Sequence, residues 1–395
     1  MVRPLESIIV LDLSRALAGP YCTMMLADMG AEIIKLEMPG RGDDSRSWGP
    51  PFVEGESAYF MSVNRNKKSI TLNLKSEKSK GIVNKLIKKA DIIVENFRPG
   101  TMDKLGLSYE NVTELNPEII YASISGFGQD GPYRLLPGFD QVIQGMGGLM
   151  SVTGEPGGPP VKVGIAVADI AGGMFAAYGI MIALFNRQRT GKGQMIDVSL
   201  LDSQVAWLTY RAGSFFASGE IPQPLGSGHP NIVPYQAFKA NDTYVNIAAG
   251  NDQLWQKFCS AVGLEDIVEN PKYSTNAKRV ENRNELVNII SNIVSSKNAQ
   301  EWLDILTKAG VPCGPIYTMD EIFTDPQVLH RNMVKDLDHL KAGKIKVTGV
   351  PVKLSGTPGE ILTSPPVLGQ NTKEILLELG YSDNDIEKFY QEKVV

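Results

Sequence analysis

The chain has 395 residues with a formal net charge of -5, and 43% of its residues are hydrophobic while 21% are charged. This length exceeds that of a usual single domain and predicts two domains in one polypeptide. The acidic balance argues against a nucleic-acid surface, because such a surface needs a basic footprint to displace counterions.

The cysteines and the apolar runs indicate the cellular compartment. Cys22, Cys259 and Cys313 are odd in number and far apart, which is typical of a reducing cytoplasm. The N-terminal apolar run is broken by Asp12 before it reaches the length of a signal peptide. The longest apolar run, Ile170–Phe185, is shorter than the roughly 18 residues of a membrane span. We therefore expect a cytoplasmic protein that does not bind a membrane.

Short apolar runs alternate with helical patterns through the first half of the chain, which is typical of βαβ units and a mainly parallel sheet. The predicted strands are Ser7–Leu13, Ala31–Glu37, Ser69–Leu74, Asp91–Asn96, Glu118–Ser125 and Gln194–Leu200. The predicted helices are Pro20–Met29, Ser76–Lys89 and Ile170–Arg189. This alternation predicts a Rossmann-like, doubly wound α/β domain over residues 1–224.

The second half has a different pattern, and it begins after a stretch rich in Pro, Gly and Ser from Ile221 to Pro234. The predicted elements are a hairpin of Tyr235–Lys239 and Tyr244–Ala249 and helices at Asp252–Val262, Asn282–Ser295 and Ala299–Ala309. We therefore predict a smaller α+β domain over residues 225–325. Residues 326–395, with a strand-like run at Ile345–Leu354 and a helix-like run at Thr372–Leu379, are expected to return to the large domain.

Two common kinds of site find little support in the sequence. His229, His330 and His339 share no ligand spacing, so neither a Ser-His-Asp triad nor a multi-histidine metal site is favoured. The segment Gly126–Gly131 reads G-x-G-x-x-G, but Pro132 follows where a dinucleotide site needs an apolar helix. A glycine-rich turn is the favoured interpretation, although its amides could approach a ligand. We expect no metal and no permanently bound cofactor.

Lys75 and Asn96 follow neighbouring predicted strands. Residues at the carboxyl ends of parallel strands face the ligand crevice of a doubly wound sheet. Lys75 also belongs to the densest positive region of an acidic chain, which begins at Asn64. Together these two side chains could hold a phosphorylated ligand with an aromatic head.

Asp169 is the one charged residue in the seventeen-residue stretch Val163–Gly179. It follows an extended run, Val161–Val167, and begins a helix that is apolar all round and therefore expected to be buried. A carboxylate at the N-cap of a helix stabilises it by about 0.5–2 kcal/mol. The local pattern leaves two interpretations open, a helix cap and a functional carboxylate.

Seven blocks spread from end to end of the chain carry a family resemblance. They are VLDLSRALAGPYCTMMLADMGAEIIKLE at 10–37, NRNKKSITLNLK at 64–75, ADIIVENFRPG at 90–100, VADIAGG at 167–173, TGKGQMIDVSLLDS at 190–203, GVPCGPI at 310–316 and PPVLGQNT at 365–372. Through these blocks the chain resembles the class III CoA-transferases, a family that also contains α-methylacyl-CoA racemases. The blocks VNRNKKSI at 63–70 and VPYQAFK at 233–239 are similar to succinate-linked enzymes that act on glutarate and related dicarboxylates.

The resemblance implies that CoA moves from an acyl-CoA, such as succinyl-CoA, to a small free carboxylic acid, such as a dicarboxylate. Asp169 falls on the family's nucleophile, which forms an aspartyl anhydride and then an aspartyl-CoA thioester. Asp140 falls on an acidic position of the family's active site, where it either orients a substrate or caps the segment that follows it. The resemblance further implies an interlocked homodimer, in which each chain threads through a hole in the other.

The resemblance also places eight residues in a CoA pocket: Leu17, Ala18, Leu72, Lys75, Asn96, Phe97, Arg98 and Lys104. The ammonium groups of Lys75 and Lys104 suit phosphate charge. Met38 stands where formyl-CoA transferases have an arginine that contacts CoA, and Arg41 and Arg46 are candidates to replace it.

Two other functions are weighed against transfer. Racemisation at the α-carbon needs an acid/base group on each face of that carbon. Racemases of this family place a histidine before the aspartate equivalent to Asp140, whereas this chain has Phe139, which accepts no proton. A non-catalytic acyl-CoA binder is the second alternative, and it has no need of Asp169. We favour transfer.

Overall fold

The computed structural model describes residues 3–395. The strands are β1 Ile9–Asp12, β2 Glu32–Glu37, β3 Phe52–Val53, β4 Glu56–Ser57, β5 Lys67–Thr71, β6 Ile92–Glu95, β7 Ile120–Ser125, β8 Met195–Ser199, β9 Tyr235–Lys239, β10 Tyr244–Ala248, β11 Cys313–Pro315, β12 Val334–His339 and β13 Gly343–Thr348. The helices are α1 Ala18–Asp28, α2 Ala58–Ser62, α3 Lys80–Lys89, α4 Thr101–Lys104, α5 Tyr109–Leu115, α6 Asp140–Met146, α7 Leu149–Val152, α8 Val167–Thr190, α9 Leu200–Ala206, α10 Thr209–Ser218, α11 Asp252–Val262, α12 Asn276–Glu281, α13 Arg283–Val294, α14 Ala299–Ala309, α15 Met319–Ile322, α16 Pro326–His330, α17 Thr372–Glu378 and α18 Asp383–Gln391.

Contacts divide the chain into two compact units. The larger unit contains residues 3–149, 162–213 and 326–395, and the smaller unit contains residues 150–161 and 214–325. Residues 150–161 and 214–224, which fall in the predicted large domain, therefore lie in the smaller unit. The C-terminal residues 326–395 lie in the larger unit.

A six-stranded parallel sheet forms the centre of the larger unit, with the order β5-β2-β1-β6-β7-β8. The sheet confirms the predicted parallel α/β architecture, and all six predicted strands belong to it. The chain adds strands on one side of β1 and then on the other, which is the doubly wound order. Ligands bind where this order reverses, at the carboxyl ends of β1 and β6.

The sheet is buried on both faces, because successive side chains of a strand point to opposite sides. Val10 and Ile33 join the core beneath α1 and α8, whereas their neighbours Leu11 and Ile34 join the core beneath α3, α17 and α18. The smaller unit has its own core, in which Trp255 of α11 is buried with residues of α13, α14 and the β11-β10-β9 sheet.

The C-terminal strand prediction is wrong in its bounds. The strand is Gly343–Thr348 rather than Ile345–Leu354, and it pairs antiparallel with Val334–His339, which the sequence did not indicate. Ile345 and Val347 are buried against Met61, while alternate positions are exposed and charged. A two-stranded hairpin with one buried face alternates in this way. The charged residues of Val334–His339 are therefore the reason that the sequence pattern did not indicate a strand there.

Helix α8 is not buried all round, so that prediction is also wrong. Its face from Met174 through Tyr178 and Ile182 to Phe185 is exposed, with Tyr178 at 65% and Phe185 at 63%. The helix has 24 residues and is long and apolar enough to cross a membrane by length and composition alone. Half of its most apolar stretch is buried in the protein, and core helices share both properties.

Helix α8 packs on α1 through a glycine. A Cβ atom built on Gly173 would lie 2.5 Å from the carbonyl oxygen of Ala18 and 3.4 Å from the backbone nitrogen of Cys22. Backbone atoms cannot move aside as a flexible side chain can, so a larger residue would push the two helices apart. Gly173 therefore sets the spacing between the start of α1 and the first turns of α8.

We expect Gly173→Ala to lower the free energy of unfolding by about 1–3 kcal/mol, because the added methyl group overpacks this crossing. Urea denaturation measures the change. Gly213→Ala, in α10, is the matched control, because nothing lies within 4 Å of its added Cβ atom. That control should be neutral or stabilising by up to about 1 kcal/mol. Equal effects of the two substitutions would contradict this account of the helix packing.

Candidate active site

The loops that follow β1 and β6 meet at the point where the strand order reverses. The backbone N–H of Arg15 donates to Oδ1 of Asn96 at 2.8 Å, and Nδ2 of Asn96 donates to the carbonyl oxygen of Arg15 at 2.7 Å. Both polar atoms of the Asn96 side chain are thus used to hold the neighbouring loop. In the structure the side chain of Asn96 therefore makes a positioning contact with the protein backbone, and its predicted contact with CoA stays a prediction.

Buried ion pairs hold the loop that follows β1 in place. The ammonium of Lys35 donates to the carbonyl oxygen of Ser14 at 2.8 Å and pairs with Asp43 at 2.9 Å. The ammonium of Lys67 pairs with Asp12 at 3.0 Å. Burial opposes ionisation of Asp12, but the charges of Lys35 and Lys67 hold its pKa well below the usual range. Burial lowers the pKa of Lys67 to about 8, against the opposing effect of Asp12.

Ala16 shows why this support is needed. Its φ of 65° lies in the left-handed region, which L-residues other than glycine rarely adopt. Its N–H donates to Oδ1 of Asp43 at 3.0 Å, and the same oxygen accepts from the N–H and the hydroxyl of Ser45. The ion pair to Asp43 therefore holds residues 14–16 in a conformation that they would not adopt alone.

A cavity of about 260 Å³ opens above these loops. Of the ten predicted site residues, Leu17, Ala18, Asn96, Phe97, Arg98 and Asp169 line it. The cavity is further lined by Arg15, Asp44, Arg134 and the backbone turn Leu136–Phe139. The structure therefore brings the predicted CoA residues of the β1 and β6 loops to the same cavity as Asp169.

A second cavity, of about 130 Å³, shares Arg15 and Phe97 with the first. Leu72 and Lys75 line it, as does Met38. Lys75 does not directly follow β5, because that strand ends at Thr71 rather than at Leu74. The strand also begins two residues earlier than predicted, at Lys67. Lys104 lines neither cavity, although Thr101 and Leu105 of the same helical turn line the second one.

Arg46 is already committed to the protein interior. Its guanidinium makes two hydrogen bonds of 2.7 Å to the carboxylate of Glu37 and lies 3.6 Å from the ring centre of Phe60. It cannot leave these partners without exposing a buried carboxylate, so it is unsuited to replace the arginine lost at Met38. Arg41 is exposed and pairs with Asp44 at 2.6 Å.

Asp169 is the third residue of α8, not its N-cap. The helix begins at Val167, and the N-cap residue Ala166 has no side-chain hydrogen bond to offer. The capping carboxylate comes from Asp140, whose Oδ1 accepts the N–H of Ala168 at 2.9 Å and whose Oδ2 accepts Nε2 of Gln144 at 2.7 Å. The predicted cap is therefore present, but another residue supplies it.

The carboxylate of Asp169 accepts no hydrogen bond from residues 3–395 and forms no ion pair with them. Burial raises its pKa to about 7, and the nearby charge of Asp140 adds to the shift. A carboxylate with this pKa is more basic than an exposed one and has lone pairs free to attack a substrate. Asp140 differs, because two donors hold its oxygens in place.

Tyr59 packs in the same cluster as Leu17 and Ile170, next to Asp169, although sequence reasoning did not single it out. It stands on α2, and its ring lies 5.0 Å from that of Trp48 in an edge-to-face contact. Burial raises its pKa to about 12, with further contributions from the charges of Asp169 and Asp140. No local motif marks this tyrosine, because only the fold brings it to a residue more than a hundred positions away.

Arginines are the charged residues that characterise the lining of the first cavity. Among residues 3–395, no group of three or more His, Cys, Asp and Glu side chains is placed to hold a metal ion. Arg15, Arg98 and Arg134 surround the first cavity instead. Such a lining suits a negatively charged organic ligand.

The switch-point cavity and the parallel sheet define a ligand-binding protein of the doubly wound α/β class. The profile of CoA-transferase family III matches residues 5–372. The chain is 46% identical to succinyl-CoA:glutarate CoA-transferase of Mus musculus, over 98% of this chain and 89% of the relative. It is 42% identical to succinate–glutarate CoA-transferase of Agrobacterium fabrum, over 95% of this chain and 96% of the relative.

A solved structure agrees with this match. The CAIB/BAIF family protein of Brucella suis superposes with a TM-score of 0.86 at 40% identity, covering 96% of this chain and all of the other. The chain belongs to CoA-transferase family III, whose enzymes use CoA thioesters as substrates. The predicted family is thereby confirmed, whereas the roles of the individual site residues stay predictions.

Asp169→Asn and Asp12→Asn should change stability in opposite directions. Asp169 has a pKa of about 7 in the folded protein against 3.8 in the unfolded chain, so the folded state is fully favoured below pH 4 and loses stability as the pH rises to about 7. Removing its charge should stabilise the protein at pH 8 by about 1–2 kcal/mol, and by less at pH 5.

Asp12 has a lowered pKa, so its carboxylate stabilises the fold above its unfolded pKa and loses that effect only in strong acid. Asp12→Asn leaves the ammonium groups of Lys35 and Lys67 without this partner and should cost about 3–5 kcal/mol at pH 8. Urea denaturation at pH 5 and pH 8 measures both variants. Destabilisation by Asp169→Asn at pH 8 would show that its carboxylate has a stabilising partner.

Proposed function

We propose that this protein transfers CoA from an acyl-CoA to a free dicarboxylic acid, with succinyl-CoA as donor and glutarate or a similar acid as acceptor. The names of the mouse and Agrobacterium relatives support this choice of substrates. The observation that carries the proposal is the carboxylate of Asp169. It lines a cavity of ligand size, has no hydrogen-bond donor among residues 3–395, and has a pKa raised to about 7.

The proposed reaction begins when an oxygen of Asp169 attacks the thioester carbonyl. The C–S bond breaks, CoA leaves as a thiolate, and the acyl group is held as a mixed anhydride. The thiolate then attacks the aspartyl carbonyl, which releases the donor acid and leaves an aspartyl-CoA thioester. The acceptor carboxylate repeats these steps in reverse. A carboxylate is the required nucleophile, because its anhydride and thioester are close enough in energy to exchange.

Water must be kept from both intermediates, since it would hydrolyse them. The apolar residues before and after Asp169 serve this purpose, and Ala168 is fully buried. Asp140 acts as a positioning residue in this proposal. Its hydrogen bond to the N–H of Ala168 holds the first turn of α8 and thereby the backbone next to Asp169.

For CoA binding we propose that the thioester arm crosses the first cavity between the loops of Leu17 and Phe97. The nucleotide end would occupy the second cavity, where Leu72 offers an apolar wall and Lys75 a charge. Lys104, which lies in the same helical turn as the cavity residue Thr101, would add positive charge for a phosphate. No ion pair joins Lys75 or Lys104 to a carboxylate within residues 3–395, so both are available.

Racemisation is the weaker alternative. It needs a base on each face of the α-carbon, yet Phe139, which accepts no proton, lines the cavity at the position where racemases of this family have a histidine. The hydroxyl of Tyr59 does not replace it, because a pKa of about 12 keeps it protonated. A non-catalytic binder is disfavoured, since leaving a carboxylate without partners destabilises a fold and a mere binder gains nothing from it.

We also propose that the protein is an interlocked homodimer and that it acts in the cytoplasm. The exposed apolar face of α8, which includes Met174, Tyr178, Ile182 and Phe185, supports association with a second copy. A groove of about 450 Å³ beside this face is lined almost wholly by apolar residues, among them Met25 and Val350. Covering this surface would remove it from water.

We expect Asp169→Ala to abolish CoA exchange, with kcat reduced at least about 10³-fold, because no other group can form the anhydride. Incubation of the wild type with succinyl-CoA followed by hydroxylamine should modify Asp169 alone, as read by peptide mass. Asp266→Ala, an exposed aspartate of the smaller unit, is the control and should leave exchange unchanged. An active Asp169→Ala variant that is properly folded would refute the proposed chemistry.

The pH profile follows from the raised pKa. Below pH 7 most of Asp169 is protonated and cannot attack, so kcat/KM for succinyl-CoA should rise about tenfold per pH unit up to about pH 7 and then level off. Binding of free CoA over the same range is the control for titration of the ligand. A profile that is flat from pH 5.5 to 8 would mean that the nucleophile has an ordinary carboxylate pKa.

A further inference from the structure

The loop between β7 and α6, residues 127–137, is built to hold one shape. Its ends touch at Gly126 and Gly138, where a Cβ built on Gly138 would lie 2.8 Å from the Cα of Gly126. The rings of Phe127 and Tyr133 contact each other inside the loop, with centres 5.8 Å apart. Such a closed, self-packed loop presents its side chains from a fixed frame.

Hydrogen bonds tie the loop to the sheet. The N–H of Gln129 donates to Asp197 at 2.9 Å, and its side-chain Nε2 donates to the hydroxyl of Ser123 at 2.7 Å. Farther along, the N–H of Leu136 donates to the carbonyl oxygen of Tyr133 at 2.8 Å. Arg134 lies between these anchored points, and it lines the first cavity together with Asp169.

The three arginines around the first cavity differ in their partners. Arg15 pairs with Asp44 at 3.4 Å and stacks on the ring of Phe97 at 4.7 Å. Arg98 and Arg134 form no ion pair with residues 3–395. Both also border a third cavity, of about 200 Å³, whose carboxylates lie too far away to pair with them. Arg98 and Arg134 thus line the same two cavities without a counter-charge, and a bound anion would supply one.

We propose that Arg134 binds the second carboxylate of the dicarboxylic acid while the first carboxylate meets Asp169. The inference rests on the proposed function and assigns its acid specificity to one side chain. Arg134 is free, it shares the cavity wall with Leu136 and Phe139, and a planar guanidinium matches a carboxylate with two parallel hydrogen bonds. A monocarboxylic acid of the same length would leave this charge unpaired.

A phosphate of CoA is the other anion that Arg134 could bind. The geometry favours the acid, because Lys75, which forms no ion pair with residues 3–395, lines the second cavity. Arg134 does not line that cavity. Lys75, the charge proposed for the nucleotide end, and Arg134 thus line different cavities.

The test compares Arg134→Gln with the wild type on glutarate and on valerate, which has the same carbon chain without the second carboxylate. Valerate is followed as an acceptor or, if the wild type turns it over too slowly, as a competitive inhibitor of glutarate. We expect kcat/KM for glutarate to fall about 10- to 100-fold, mainly through KM, while the valerate constant stays within about twofold. Arg134→Lys should recover part of the loss.

Arg189→Gln is the matched control, because it removes the same charge from the far end of α8, about 30 Å along the helix from Asp169. It should leave both acids unaffected. The affinity for free CoA, measured by calorimetry, should be the same in all variants. Weaker CoA binding by Arg134→Gln would assign the arginine to a phosphate, and equal losses on both acids would assign it to the structure of the loop.

No change on glutarate would also overturn the inference. Each of these results leaves the proposed function standing, because they compare variants of an active enzyme. A wild type that exchanges CoA with no acid at all would instead refute the proposed function.

Discussion

The site depends on one largely desolvated carboxylate that lines the cavity and has no hydrogen-bond partner among residues 3–395. Asp169 sits in the first turn of a helix whose free amide at Ala168 is already taken by Asp140. Had Asp169 supplied that cap itself, its oxygens would be hydrogen bonded and its pKa low. Because another residue does so, burial acts on Asp169 without compensation and raises its pKa to about 7.

The rest of the larger unit places substrates against that carboxylate. The strand order of the sheet reverses between β1 and β6, and the loops after these two strands form one wall of the cavity. The loop after β1 holds a strained residue, Ala16, in place through Asp43 and the buried ammonium of Lys35. The buried ion pairs therefore serve the shape of the site, since fully buried charges contribute little net stability. The larger unit thus contains buried ammonium groups that are paired with carboxylates, and one carboxylate, that of Asp169, that has no such partner.

Local sequence patterns sufficed for the sheet but not for the charges inside it. Each of the six predicted runs overlaps a strand of the sheet, because each strand contains or adjoins apolar residues bounded by turns. The bounds failed where a charged residue is buried: Lys67 begins β5, but its ammonium is paired with Asp12, and the pattern placed the start of this strand at Ser69. The position of Lys75 was then misjudged as a strand end. A pairing partner fifty-five positions away cannot be seen in a local window.

The candidate site shows the same limit. Asp169 could be recognised as unusual because it is a lone charge in an apolar stretch, and the family resemblance supplied its role. Its position within the helix could not be foreseen, since the cap comes from Asp140 and the extended run before it forms no strand. Tyr59 and Arg134 carry no motif of their own. Only the fold brings Tyr59 of α2 close to Asp169, and only the fold brings Arg134, in the closed loop before Gly138, to the cavity.

The path of a single oxygen atom tests the central claim most directly. If the acceptor acid carries oxygen-18 in its carboxylate, one turnover should leave one labelled oxygen on the side chain of Asp169, because the anhydride splits on the acceptor side. Mass spectrometry of the peptide that contains Asp169 reads the label. Label found there in a single turnover is the predicted result. Complete product formation with no label on Asp169 would show that CoA moves without bonding to this residue.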